Sequence, residues 1–453
     1  MNLNENIFRA NDIRGVAYED LTEDVVFDLG KVLGSIALER GQKRFIVGRD
    51  GRKSSPDIFE WLSNGVLSSG CSVIDIGICT SPMFYFSTHN LLEGSGVIIT
   101  GSHNPSQYNG FKIVFDKKSS TSKQIQGIKE KILKKDFKNG EGATSSISVH
   151  KDYVNSIIDD ISLKKRLNIA IDCGNGAAGI VAKEIFEGIG CKVTCLNLEL
   201  DGNFPNHHPD PSRPENLKEL IDTVKKNSLD IGLAFDGDAD RLGIISSQGN
   251  IIYPDMQMII FSDYLLKNNP GGKIVFDVKC TQFLKERIFS KKGVPLMTKT
   301  GHTFIKEKMR SEGAILGGEM SGHIFFNDRW PGFDDGIYSG CRFLEILSES
   351  PDIFSNLPQT FSTPEINIPA SDKEKFEIIE KFKSAFKAEN NINKIDIDGL
   401  RVEYKGGWGL LRASNTSPSL VMRFEASSST DLDRIQNDFK STLKEVYPDM
   451  EDF

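Results

Sequence analysis

The chain has no long apolar run: nowhere do about 18 consecutive apolar residues occur, the length a membrane-crossing helix needs. Its first residues, Met1-Asn2-Leu3-Asn4-Glu5, have neither the basic region nor the apolar stretch of a secretory signal. Basic charge is not in excess. Against 55 Lys and Arg stand 63 Asp and Glu, a net charge of -8, which leaves no cationic footprint for nucleic acid. Cysteine is sparse: the 7 thiols, at 71, 79, 173, 191, 195, 280 and 341, are scattered, odd in number and never spaced as Cys-x-x-Cys. They predict reduced, buried thiols in a cytoplasmic protein. Nucleotide-binding signatures are missing as well, with no Gly-x-Gly-x-x-Gly on a first strand and no Walker loop. What is present is ordinary globular composition, 38% hydrophobic and 26% charged over 453 residues, enough for three or four domains.

Helix and strand patterns alternate in three successive segments. Thr22 is placed to cap a helix ending near Arg40, with Val26, Leu29 and Leu33 on one face. Phe45-Ile46-Val47 reads as a buried strand that ends at Gly48-Arg49-Asp50-Gly51-Arg52. A helix through Phe59, Trp61 and Val66 leads to a second strand, Ser72-Val73-Ile74-Asp75-Ile76. The stretch 117–146 is polar and Lys-rich, carries one amphipathic helix, and reads as a domain exit. The alternation returns over 167–235 and again over 273–316. Each return opens on a strand ending in a polar turn, Asp172-Cys173-Gly174 and then Asp277-Val278-Lys279. Such alternation predicts parallel sheets with crossover helices, and the three segments form a weak internal repeat.

The last segment differs. Residues 364–369 read as a linker strand and 358–369 as a hinge. Ser371-x-x-Glu374 is a capping box that opens a helix along Phe376, Ile379, Phe382 and Phe386. Short strands follow over 395–402, at Tyr404 and over 420–424, and Thr430 is placed to cap a final helix to Val446. Two helices with hairpins predict a small α+β domain. The expected domain boundaries are 1–146, 147–248, 249–362 and 363–453.

Chemistry gathers in four loops. The first is Thr100-Gly101-Ser102-His103-Asn104-Pro105, which follows the apolar run Gly96-Val97-Ile98-Ile99. A polar turn straight after a buried strand lies on the sheet edge where open α/β folds bind ligands, and its serine hydroxyl is a nucleophile or phosphate carrier. Taken singly, such a turn is as readily a plain connection. The second is Asp236-Gly237-Asp238-Ala239-Asp240-Arg241. Three carboxylates at i, i+2 and i+4 raise one another's pKa unless a cation intervenes, and hard oxygen ligands favour Mg²⁺. A calcium EF-hand loop is excluded, because Arg241 and Ser247 stand where that loop needs Gly and Glu.

The third loop, Gly317-Gly318-Glu319-Met320-Ser321-Gly322-His323, offers a carboxylate, a hydroxyl and an imidazole. Its flanking glycines are read as letting backbone approach a hydroxyl-rich ligand, though Glu and His could equally satisfy each other. The fourth, Arg412-Ala413-Ser414-Asn415-Thr416-Ser417-Pro418-Ser419 with Arg423 beyond, is a guanidinium with hydroxyl and amide donors, a phosphate cradle or else a polar hairpin tip. Arg14, Lys112, Lys279 and His302 are further basic candidates, whereas His89, His150, His207 and His208 lie in no such loop.

Together these four loops, in this order and spacing, resemble the α-D-phosphohexomutase superfamily and, within it, the bacterial phosphomannomutase/phosphoglucomutase group. Arg14, Arg49-Asp50, Asn109-Gly110-Phe111-Lys112, Lys279-Cys280-Thr281 and Thr300-Gly301-His302 also look like that family's. The resemblance covers essentially the whole chain. It implies α/β architecture in a heart-shaped arrangement of four domains, three similar α/β domains with mixed sheets plus a smaller C-terminal α+β domain. It implies an isomerase of carbohydrate metabolism and a phosphoprotein: Ser102 carries a phosphate, and hexose 6-phosphate and hexose 1-phosphate, of mannose or glucose, interconvert through a hexose 1,6-bisphosphate.

By resemblance, one Mg²⁺ per chain is held by Ser102, Asp236, Asp238 and Asp240. Ser102, Arg14, Lys112, His302 and Arg241 are implied as catalytic, with Lys112, His302 and His323 the candidates for general acid/base. Lys279, Glu319, Ser321, His323, Arg412, Ser414, Asn415, Thr416 and Arg423 are implied to bind substrate, in a cytoplasmic monomer with a hexose phosphate as its partner. One departure is visible. Asn11 stands where the group commonly has a tyrosine before Asp-Ile-Arg. Phosphoglucosamine mutases, the neighbouring alternative, usually carry Ala for Gly101 and Gln for Met320, and neither change is present. A metal-dependent sugar phosphatase and a non-catalytic sugar-phosphate binder are the readings from other classes. The adjacency of Ser102 and His103 is not read as a hydrolase pair, since neighbours i and i+1 do not face each other on regular elements.

Overall fold

A computed structural model describes residues 3–9, 12–91, 93–387, 392–414, 417–448 and 450. Asn11, Asn415 and Thr416, which bear on the sequence reading, lie outside the described residues. The chain divides into two packed units, Met1–Pro254 with Ser321–Pro351 and Asp255–Met320 with Asp352–Phe453.

The first unit holds two sheets. In the first sheet the strands lie in the order Ile13–Val16, Tyr108–Phe115, Gly96–Ile99, Arg44–Arg49, Ser72–Ile78 and Thr144–Ser146. Gly96–Ile99, Arg44–Arg49, Ser72–Ile78 and Thr144–Ser146 run parallel, as alternation predicts. Tyr108–Phe115 runs antiparallel to Gly96–Ile99, and Ile13–Val16 antiparallel to it in turn. The all-parallel expectation therefore gives way to a mixed sheet. The cause is chain length: residues 100–107 are too few for a parallel crossover, which takes about a dozen. The helices Glu23–Glu39 and Ser55–Ser68 cover the sheet, and Val26, Leu29, Leu33, Leu62 and Val66 are buried beneath them. The stretch expected as a domain exit is part of this sheet, because Thr144–Ser146 pairs with Ser72–Ile78.

The second sheet runs Ile251–Ile252, Leu242–Ser246, Ile231–Phe235, Asn168–Asp172 and Lys192–Leu196. Its last three strands are parallel and its first two antiparallel. Again a short connection, 236–241, forces the reversal. Both chemistry-bearing turns thus join antiparallel neighbours, and each is pinned by buried strands at its two ends: Gly96–Ile99, Ile231–Phe235 and Leu242–Ser246 are buried throughout.

In the second unit Val294–Thr298, Lys273–Asp277 and Leu316–Gly318 form parallel pairs. Gly317 and Gly318 are strand residues here and not part of an open loop. A Cβ on Gly317 would fall 2.3 Å from the Met309 sulfur, and one on Gly318 2.3 Å from the Met258 sulfur, so close packing explains both. The last sheet is antiparallel, in the order Phe361–Ser362, Ser419–Ala426, Gly407–Ala413, Leu400–Tyr404 and Asn393–Ile395, with Ile366–Pro369 also on Ser419–Ala426. The residues expected as a hinge and linker are therefore edge strands. Gly407–Ala413, buried throughout, was hidden by its glycines and tryptophan.

The helix Glu374–Ala385 has Lys373 at its N-cap, two residues after the expected Ser371, although Glu374 N still donates to Ser371 Oγ at 3.2 Å. Its buried face holds Ile378, Ile379 and Phe382, whereas Phe376 is 58% exposed and falls off the expected stripe. The last helix, Ser429–Val446, is capped by Ser428, two residues earlier than the expected Thr430. All seven cysteines are free. Among the described residues no helix is long and apolar enough to cross a membrane.

Candidate active site

Ser102 lies in the left-handed region at φ +49°, which few non-glycine residues adopt. Local hydrogen bonds fix that turn: Ser102 N donates to Thr100 Oγ1 at 2.9 Å, Asn104 N to Gly101 O at 2.9 Å and Gly101 N to Asp50 Oδ2 at 3.2 Å. Ser102 Oγ donates to Asp236 Oδ2 at 2.9 Å. The two turns touch through backbone, since a Cβ on Gly237 would fall 2.3 Å from Ser102 O. Ser102 Oγ is also 3.2 Å from His103 Nδ1. The rule that kept these neighbours apart holds for helices and strands, and the positive φ at Ser102 takes the turn outside it. Burial, with the Arg241 and Arg14 charges, pushes the His103 imidazole well below its ordinary pKa, so the ring is neutral.

Asp236, Asp238 and Asp240 are fully buried, and an oxygen from each lies within 4.8 Å of the others. Burial and the neighbouring Asp240 and Asp238 charges push Asp236 well up. At Asp240 burial and Asp238 also prevail over His323 and Lys112, and the pKa rises. At Asp238 burial opposes ionisation, but Lys112 outweighs it and holds the carboxyl below the usual range. Lys112 Nζ donates to Asp238 Oδ2 at 2.5 Å and to Asp240 Oδ2, and Ser81 Oγ donates to Asp238 Oδ2 at 2.5 Å. Burial works against the Lys112 ammonium, yet Asp238 and Asp240 prevail and raise its pKa well above the ordinary value. Asp238 Oδ1 is buried without a hydrogen bond among the described residues. Three hard oxygen donors, one of them in reserve, fit a divalent metal ion.

Arg14, on Ile13–Val16, is buried and paired with Asp12. Arg241 Nε lies 3.8 Å from Asp236 Oδ2 and donates to His323 Nε2 at 3.1 Å. His323 Nδ1 lies 3.1 Å from Asp334 Oδ2 and 3.4 Å from Asp240 Oδ1. Ser321, at the start of the same stretch, is half-buried. The structure therefore gathers Ser102, Lys112, Arg241, His323 and the three aspartates in one unit.

The remaining candidates belong to the second unit. Lys279 Nζ donates to Glu365 Oε1 at 2.6 Å, and Glu365 and Asp277 raise its pKa against burial. Glu319 Oε2 accepts from Gly301 N at 2.8 Å, one residue before His302, which opens the helix His302–Glu312. Arg412 Nε donates to Asp398 Oδ2 at 2.9 Å. Arg423 donates to Lys279 O and, at 3.3 Å, to Asp255 Oδ2, so its guanidinium is committed to the backbone that carries Lys279. Ser414 ends Gly407–Ala413, its N bonded to Ser419 O at 2.9 Å; Asn415 and Thr416 lie outside the described residues.

Four residues at these loops escaped the sequence reading. Arg52 bonds the turn that carries Ser102, Ser81 bonds Asp238, Asp334 faces His323, and Lys375 Nζ donates to Ser414 O at 2.7 Å and Ser417 O at 3.2 Å. Only Arg52 carried a signal, as the end of the charged run Arg49-Asp50-Gly51-Arg52 after a buried strand.

Comparison with known proteins places this geometry. Four models of phosphoglucomutase/phosphomannomutase match in succession: alpha/beta/alpha domain I over residues 5–139, domain II over 151–249, domain III over 253–362 and the C-terminal domain over 365–441. A phosphomannomutase/phosphoglucomutase of Pseudomonas aeruginosa is 49% identical over 447 residues, 97% of this chain and 96% of that protein. A phosphoglucomutase of Neisseria gonorrhoeae is 46% identical over 448 residues, 98% of this chain and 97% of that protein. The crystal structure of a phosphoglucomutase/phosphomannomutase family protein from Burkholderia thailandensis superposes with a TM-score of 0.94 at 43% identity, over 99% of each chain. With four domain models in order and relatives matched end to end, the chain belongs to the phosphoglucomutase/phosphomannomutase family of hexose phosphate mutases.

Proposed function

We propose that this hexose phosphate mutase interconverts hexose 6-phosphate and hexose 1-phosphate, of mannose and glucose, through a phosphoserine at Ser102 and a hexose 1,6-bisphosphate. The observation that carries the reading is the Ser102 hydroxyl, held at positive φ and bonded to Asp236 at 2.9 Å beside two further buried carboxylates. Buried carboxylates that could hold a metal match a phosphate carrier better than an acyl carrier.

Asp236, Asp238, Asp240 and the Ser102 oxygen would hold Mg²⁺, which supplies charge to offset that of the transferring phosphoryl group. Ser102 delivers its phosphate: the Ser102 oxygen–phosphorus bond breaks while a sugar hydroxyl oxygen bonds phosphorus. The hydroxyl's proton passes to a protein base, for which His302 and His323 are the proposed groups, while the departing Ser102 oxygen takes a proton from a protein acid, for which the Lys112 ammonium is the proposed group. In the return step the bond between the other phosphate and its sugar oxygen breaks as phosphorus bonds the Ser102 oxygen; the Ser102 proton passes back to the protein, and the freed sugar oxygen takes up a proton from the protein acid. Arg14 and Arg241 offset charge beside that transfer. Glu319, Ser321, His323 and Lys279 grip the sugar in both poses. Arg412, Ser414, Asn415, Thr416 and Arg423 serve the phosphate that is not reacting, Arg423 through the Lys279 carbonyl it bonds. We further propose a monomer in the cytoplasm, where seven free thiols would stay reduced.

A coupled assay on mannose 1-phosphate and glucose 1-phosphate, with trace hexose 1,6-bisphosphate, tests the reading. Isomer formation on both sugars without inorganic phosphate is expected. Phosphate release without isomer would make the protein a phosphatase, and turnover of glucosamine phosphate alone would make it a phosphoglucosamine mutase.

A further inference from the structure

Behind the turn that carries Ser102 sits a second charged group that takes no place in the reaction described above. Arg52 is 2% exposed and its guanidinium spans the inside of the turn. Nη2 donates to Ser102 O at 2.7 Å and to Asn104 O at 2.7 Å. Nη1 donates to Pro105 O at 2.6 Å and to Tyr108 O at 3.0 Å. Nε donates to Asp50 Oδ2 at 3.1 Å, the same oxygen that accepts from Gly101 N. All five N–H groups of one planar fork are engaged, four of them by carbonyls of a single turn.

The side chain is itself held on its other sides. Asp50 Oδ1 accepts from Arg52 N at 3.1 Å and from Ser55 Oγ at 2.7 Å. The guanidinium lies 5.1 Å from the ring centroid of Phe204, and Gly202 packs so closely that a Cβ there would fall 2.7 Å from Arg52 Cα. On the turn side, a Cβ at Gly101 would lie 2.4 Å from Arg52 Cζ. Arg52 is therefore clamped between the turn 100–108 and the stretch 202–204 of the second sheet's domain.

We infer that Arg52 is a positioning residue for phosphoryl transfer: it draws the Ser102, Asn104, Pro105 and Tyr108 carbonyls inward and so fixes Ser102 at positive φ with its hydroxyl on Asp236. Two consequences follow from the chemistry. Carbonyl oxygens bound to the guanidinium are not available to face a phosphoryl group on Ser102, so their partial negative charge does not oppose it. The hydroxyl also stays in register with the carboxylates when the phosphate leaves and returns, which an unsupported residue at positive φ would not do. A lysine cannot replace this, since an ammonium has only three donors and no planar fork. The inference rests on Ser102 as the phosphate carrier.

Arg52→Lys tests it, read beside Ser102→Ala. Expected is a folded protein whose kcat drops ~100-fold, the effect of an approximately 1 Å misplacement, while KM for hexose phosphate changes less than about threefold. Rescue of Arg52→Ala kcat by added guanidinium chloride at concentrations too low to unfold the protein is also expected. A shortened lifetime of the Ser102 phosphate toward water, followed by intact mass, belongs to the same outcome. Wild-type kcat in folded Arg52→Lys, with only the melting temperature lowered, overturns the inference. If Arg52→Lys does not fold, Asp50→Asn decides, with a kcat loss of roughly tenfold expected and an unchanged kcat overturning it. Turnover retained in Ser102→Ala would instead defeat the phosphoserine reading, and so the two failures are distinct.

Discussion

Ser102 Oγ donates to Asp236 Oδ2 at 2.9 Å, joining two turns that lie 134 residues apart in the chain. Each turn links antiparallel strands, and these strands are buried at every position except Tyr108. The hydroxyl and the carboxylates are therefore held between buried strands, which suits transfer by positioning and electrostatics.

Removal of divalent metal with a chelator should abolish turnover, and Mg²⁺ should restore it. Mg²⁺ should also raise the melting temperature of the wild-type chain, because a ligand that binds only the folded state stabilises it. Asp238→Asn, which alters the carboxylate with an oxygen in reserve, shows a smaller rise. Equal rises in both proteins, by differential scanning calorimetry, would contradict the assigned metal site.

Lys112→Met removes the ammonium that bridges Asp238 and Asp240. Two buried carboxylates then lose their cation, and breaking a buried pair in this way costs about 3–5 kcal/mol. Denaturant melts in chelator should show that loss. The same melts in Mg²⁺ should show a smaller one, since the metal supplies the missing charge. A loss unaffected by Mg²⁺ would mean that Lys112 and the metal do not share these carboxylates.

Gly237→Ala places a methyl group 2.3 Å from Ser102 O, against backbone rather than the end of a flexible side chain. The turns must part, and overpacking of this kind costs about 1–3 kcal/mol. Since Ser102 moves away from Asp236, kcat should fall by ~100-fold with little change in KM. Stability loss with full kcat would separate the close approach of the turns from catalysis.

Asp335 caps the helix Gly336–Glu349 by accepting from Tyr338 N at 2.9 Å, and Tyr153 Oη donates to the carboxyl at 2.9 and 3.0 Å. Burial pushes its pKa up to about 7, against those hydrogen bonds. The unfolded chain loses this proton near pH ~4, so between about pH 4 and about pH 7 the folded state binds more protons. The contribution to stability is full below that window and falls as pH rises through it. Relative to Asp335→Asn, the wild-type melting temperature should decline from about pH 4 to about pH 7 and then run parallel. A constant difference across the window contradicts the raised pKa.

Much of this was legible in the sequence, for physical reasons. Runs such as Gly96-Val97-Ile98-Ile99 and Ile231–Phe235 are apolar at every position because both faces are covered, and the polar turns after them stand out. Strand direction was not legible from alternation, but the 100–107 and 236–241 connections were too short for crossovers and carried the answer in their length. Gly317 and Gly318 misled, because glycine serves close packing against Met309 and Met258 as readily as loop freedom. Arg52, Ser81, Asp334 and Lys375 went unseen because each is defined by a partner distant in sequence: Ser81 by Asp238, for example, and Lys375 by the Ser414 carbonyl. The same turn conformation that brings Ser102 Oγ within 3.2 Å of His103 Nδ1 lies beyond any rule drawn from regular elements.

The central claim is that phosphate cycles through Ser102, and intact-mass and peptide mapping of the enzyme mixed with hexose 1,6-bisphosphate tests it most directly. One phosphate on Ser102 is predicted, lost on addition of excess hexose monophosphate as bisphosphate forms, and absent from a Ser102→Ala protein whose turnover is down by several orders of magnitude. No phosphate on Ser102, or Ser102→Ala turning over at the wild-type rate, would contradict the account.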